Sequence, residues 1–68
     1  MRLNEFAIGG HFTHLRSTYR CTDIGTRTVA AICVDDYAPD YPGLVGPPYA
    51  ALEIVIDEDM QQRCTPAK

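Results

Sequence analysis

Tyr19–Val34, YRCTDIGTRTVAAICV, is the stretch whose reading decides the fold. It has the pattern of a β-hairpin. Thr18–Ile24 is rich in Thr, Tyr and Ile, and Arg27–Val34 carries the β-branched residues Thr28, Val29, Ile32 and Val34. Asp23-Ile24-Gly25-Thr26 is the turn between them: Gly25 supplies a positive φ, and the Asp23 carboxylate accepts from the backbone just ahead of it. If Asp23 pairs with Thr26, Cys21 lies opposite Thr28 and Tyr19 opposite Ala30; a single bulge would shift that register. Along the second strand Val29, Ala31 and Cys33 share one face, and Ala30, Ile32 and Val34 the other. A strand that is apolar on both faces in so short a chain implies a tightly curved sheet, hence a small barrel.

Two more strands flank the hairpin. His11-Phe12-Thr13-His14-Leu15 alternates aromatic and polar residues, with Phe12 on one face and His11 and Thr13 on the other. Tyr49–Ile56, YAALEIVI, places Leu52, Ile54 and Ile56 together, with Glu53 at a rim or outward. Residues 1–8 fit either a helical turn capped by Asn4 or a short strand, and Gly9-Gly10 ends whichever forms. Asp59 is placed to cap one helical turn through Arg63, and 65–68 reads as a frayed tail. The fold class is therefore all-β: an SH3-like or partly open barrel of four to five antiparallel strands, possessing at most one short helical turn.

The composition narrows function. Sixty-eight residues make one small domain, which buries only roughly 60% of its unfolded surface. That leaves little room for a large enclosed active site, and the chain reads as non-enzymatic. Six Lys+Arg against nine Asp+Glu supply no global basic stripe for nucleic acid. No apolar run reaches the roughly 20 residues that a bilayer requires, and the first ten residues lack a signal-peptide core. Cys21, Cys33 and Cys64 are odd in number and show no CxxC spacing. These features point to a cytoplasmic chain with reduced thiols, Cys21 and Cys33 inside strands and Cys64 exposed near the C-terminal end.

Candidate chemistry is sparse. His11 and His14 with Cys21 suggest zinc, but an i, i+3 pair on a strand points to opposite faces. Two rim histidines beside a buried Phe12 is the simpler reading, and no cofactor, metal ligand or catalytic residue is assigned. Arg27 beside the hairpin turn is an anion anchor or a turn residue. The connection from Asp35 to Pro48, DDYAPDYPGLVGPP, holds four of the five prolines together with Tyr37, Tyr41 and Leu44. A long loop with aromatic area to bury is either a contact surface or a cap on the barrel's open end; the contact reading is followed, and Tyr49 adjoins the loop. The expected binding residues are thus Tyr37, Tyr41, Leu44, Tyr49 and Arg27, and the expected partner is another protein or a second copy of the chain. An alternative is a small barrel binding single-stranded nucleic acid through Arg16, Arg20 and Arg27 with Tyr19 as the stacking ring; a small metal-binding protein is a third.

Tyr19-Arg20-Cys21-Thr22-Asp23, Gly25-Thr26-Arg27-Thr28, Gly46-Pro47-Pro48-Tyr49 and Asp57-Glu58 together resemble a group of short uncharacterised proteins from bacterial genomes, plasmids and phage-like islands. The resemblance covers about half of the chain. It implies a prokaryotic or mobile-element origin and nothing more specific; one concrete version of the interaction reading is a mobile-element accessory protein, for example an inhibitor whose acidic half meets a basic host surface. The resemblance brings no activity and no catalytic residues.

Overall fold

A computed structural model describes residues 1–38, 40–44 and 50–67. Five antiparallel strands form one sheet that does not close: β1 (His11–His14), β2 (Ser17–Ile24), β3 (Val29–Cys33), β4 (Glu53–Ile56) and β5 (Cys64–Pro66), in the order β4-β3-β2-β1-β5. Among the described residues one α-helix forms, α1 (Glu58–Gln62), and it joins the two outermost strands. Strands in a sheet stand about 4.8 Å apart, so a flat five-stranded sheet would hold β4 and β5 about 19 Å from each other. Residues 57–63 are mostly helical and rise only about 1.5 Å each there. The sheet must curl for so short a bridge to reach.

The inside of the curl is the core. Phe6, Phe12, Cys21, Val29, Ala31, Ile56 and Cys64 are buried there, with Leu3, Tyr19, Ile24, Ile54 and Met60 packed around them. Phe12 holds the centre. Phe6 meets it edge-on at 5.0 Å between centroids, and Tyr19 stacks on it at 5.6 Å. These edge-to-face and offset arrangements suit the ring quadrupoles. The helix is fastened to this core by Gln61, whose buried amide donates to the carbonyls of Arg27 (2.8 Å) and Ile56 (3.1 Å).

Several expectations need correction. The β2–β3 register is Tyr19 opposite Cys33, Cys21 opposite Ala31 and Ile24 opposite Val29, not Cys21 opposite Thr28 and Tyr19 opposite Ala30. The hairpin loop is Gly25–Thr28, closed by Gly25 N–H donating to Thr28 O, and Thr22 is the extra residue of a bulge between Cys21 and Asp23. Asp23 does accept from the Ile24 N–H, at 3.0 Å. Residues 65–66 are not frayed tail: Thr65 and Pro66 belong to β5, opposite Thr13 and Phe12, and the Thr13 and Thr65 hydroxyls meet at 2.5 Å. The helix cap is Asp57, whose Oδ1 accepts from Met60 N at 2.8 Å, and not Asp59. An Asp reaches the N–H three residues on, and only Asp57 stands at that spacing before the first helical residue. The N-terminal segment is a 3-10 turn, Leu3–Glu5, preceded by Arg2 rather than capped by Asn4. Cys64 is buried, not exposed, because β5 carries it into the core. His14 is buried as well, since i, i+2 alternation puts it on the same face as Phe12.

The last strand starts only at Glu53, so alternation does not reach Leu52, which faces solvent rather than joining Ile54 and Ile56. No helix among the described residues is long and apolar enough to cross a membrane.

Candidate functional site: the outer face of the sheet

Strand pairing places His11, Arg20, Ile32 and Glu53 side by side on the outer face, one from each of four neighbouring strands. Ile32 is fully buried there. The cover comes from the segment after β3. Two 3-10 turns, Val34–Asp36 and Pro42–Leu44, fold this segment back over the sheet. Asp35 ties it to the β2 edge by accepting from Thr18 N at 2.8 Å, and Leu44 O accepts from Arg20 Nη1 at 2.7 Å. Gly43 O accepts from Ala50 N, closing the segment on itself.

The tyrosines form an ordered ridge. Tyr37 and Tyr41 stack at 5.0 Å between centroids. The Tyr37 hydroxyl accepts from Leu52 N at 3.0 Å, and the Tyr41 hydroxyl donates to Ala50 O at 3.4 Å. Gly43 permits this packing, because a Cβ there would collide with the Tyr41 ring and press on the Ala50 backbone. Beside the ridge, Leu52 is 75% exposed and Val55, on edge strand β4, is 63% exposed.

Between the ridge and the sheet lies a cleft of about 450 Å³, lined by Gly9, His11, Arg20, Val34, Asp40, Tyr41 and Leu44. The expected binding residues divide accordingly. Tyr37 and Tyr41 come together, and Tyr41 and the largely buried Leu44 line the cleft. Tyr49 lies outside the described residues. Arg27 stands apart in the β2–β3 loop, on an exposed ion pair with Glu58 at 4.0 Å. Sequence reasoning missed His11 and Gly9 as cleft residues; the signal for His11 was its alternation against Phe12, which turns it to the outer face.

The four residues of the nucleic-acid reading are dispersed. Arg16 and Arg27 lie at opposite ends of β2, whose eight residues span about 26 Å. Arg20 is on the outer face, whereas Tyr19 is stacked on Phe12 inside the curl. His11 and His14 likewise point to opposite faces, and among the described residues no three His, Cys, Asp or Glu side chains gather as metal ligands. Five acidic residues of the second half have partners within the chain: Asp35 on Thr18 N, Glu53 on the Thr22 hydroxyl, Asp57 as helix cap, Glu58 with Arg27 and Asp59 with Arg63.

Compared with known proteins, the chain matches no family model, no curated protein and no solved structure.

Proposed function

We propose that this chain is a non-enzymatic protein-interaction module whose contact surface is the tyrosine ridge together with Leu52 and Val55. The observation that carries the reading is the pinned Tyr37–Tyr41 stack with a largely exposed Leu52 against it. Large apolar side chains left in water beside rigid aromatic rings are the composition of interface centres. Rings already fixed by stacking and hydroxyl bonds lose little freedom when a partner arrives.

Site-specific photo-crosslinking tests the reading. A photo-reactive residue at Leu52 should trap a discrete partner, or a second copy of the chain, from cells expressing the protein, whereas one at exposed Leu15 should not. Leu52→Asp should remove the band obtained from a probe at Val55. Equal trapping from both sides of the molecule would overturn the assignment.

A further inference from the structure

We propose that the cleft beneath the tyrosine ridge is a binding pocket for a carboxylate carried on an apolar body, with Arg20 as its anchor. The inference deepens the interaction reading by naming the group that a ligand presents to this face. Arg20 lies half-buried on the sheet, and one of its five N–H donors is used by Leu44 O, at 2.7 Å. That bond fixes the guanidinium plane. Among the described residues no carboxylate forms an ion pair with it.

Gly9 lines the cleft beside the guanidinium and presents no side chain to it. Arg20 Nη2 lies 3.9 Å from where a Cβ on Gly9 would stand, and Gly9 holds φ +86°, a conformation that other residues rarely adopt. His11, the direct cross-strand neighbour of Arg20, is exposed on the same cleft and adds a ring N–H. A fixed planar fork with unspent donors, partly withdrawn from water, binds a carboxylate by two parallel charge-assisted hydrogen bonds.

The remaining walls choose among anions. Tyr41, Leu44 and Val34 offer apolar area for the ligand's body, in a volume typical of small-ligand pockets, which run from about 300 to 1,000 Å³. Asp40 also lines the cleft, and its negative charge opposes a dianion such as a phosphate monoester. A single negative charge on an aromatic or aliphatic frame meets Arg20 with the least opposition from Asp40. Such a group is found on a small organic acid and at the carboxyl end of a peptide.

Titrating the isotope-labelled full chain by NMR tests the pocket. The probes are 3-phenylpropionate, its uncharged amide, a pentapeptide ending in a free phenylalanine carboxylate, and that peptide amidated. The expected result is saturable shifts at the Arg20 Nε–H, Gly9 and His11 with the two acids and not with the two amides. Tighter binding of the peptide acid than of phenylpropionate identifies a peptide source, and equal binding a small acid; both require the pocket. Arg20→Gln should abolish the shifts. Arg20→Lys, which keeps the charge but not the fork, should weaken binding by about tenfold. His11→Ala alters an exposed side chain and should weaken it with the fold intact. If Arg20→Gln unfolds, the other two variants still decide. Equal shifts from acids and amides, no shifts at all, or unchanged affinity in folded Arg20 variants would overturn the proposal. Crosslinking at Leu52 reads the ridge and not the cleft, so the two assignments fail separately.

Discussion

His14 occupies a core position that a leucine would fill without loss. Its ring meets Tyr19 edge-on at 6.2 Å, yet its buried Nε2 has no hydrogen-bond partner among the described residues. A buried polar atom left unsatisfied costs about 1–3 kcal/mol. His14→Leu should therefore stabilise the chain by about 1 kcal/mol, read as a higher urea midpoint with an unchanged slope. A lower midpoint would mean that the ring has a partner in solution. Gly43 is the converse case, since the Tyr41 ring and the Ala50 backbone already fill the space that a side chain needs. Gly43→Ala should cost about 1–3 kcal/mol and displace the Tyr41 ring resonances, as overpacking does where backbone cannot yield. The parity rule that buried Phe12 also buried His14, so that placement was legible in the sequence. The crowding at Gly43 was not, because it depends on residues 41 and 50 meeting across a loop.

At the scale of elements, the β1–β2 hairpin turns on Leu15-Arg16, both with positive φ, at 50° and 73°. Two-residue hairpin turns require that geometry, and Asn-Gly supplies it without the penalty of about 1–2 kcal/mol per residue that ordinary side chains bear. Leu15→Asn with Arg16→Gly should raise the melting temperature, because Leu15 is 72% exposed and leaves no cavity behind. A gain below about 0.5 kcal/mol would show that the flanking strands absorb the strain. Nothing in Leu-Arg announces a turn. The β2–β3 turn was announced by Asp23 and Gly25, yet the register came out differently because the loop is Gly25–Thr28, with Ile24 opposite Val29, and a further one-residue shift comes from a bulge at Thr22. Its hydroxyl donates to Glu53 at 2.6 Å, a contact with the fourth strand that local pattern does not encode. Strand β5 was illegible for a related reason: three residues including Pro66 carry no periodicity, and they become a strand only because β1 offers an edge.

Three weakly acidic side chains, Cys21, Cys64 and Tyr19, lie inside the curl. Burial raises the thiols of Cys21 and Cys64 above their ordinary 9.0, and burial, aided by Cys33 and Asp36, raises the phenol of Tyr19 above 10.0. The unfolded chain sheds these protons first, so the stability they contribute is complete below pH 9.0 and is lost as pH climbs through the raised values. The urea midpoint should thus fall between about pH 8 and about pH 10.5, and a midpoint that rose would contradict the burial of these groups. Strands β1 to β4 and the curvature of the sheet could be read from alternation and from the two apolar faces of β3, whereas β5 could not. The cleft could not, because its walls come from Gly9, β1, β2 and the 40–44 segment, which only the tertiary fold assembles.

The chain has no tryptophan and four tyrosines. Its ultraviolet optics therefore belong to tyrosine alone, and the fold sorts the chromophores. Tyr19 is embedded against Phe12, while Tyr37 and Tyr41 stack with their ring planes 26° apart, an arrangement that couples their transitions. The outer face thereby carries a built-in dichroic reporter: a group settling against Tyr41 perturbs the coupled band, and the signal from the core ring stays still.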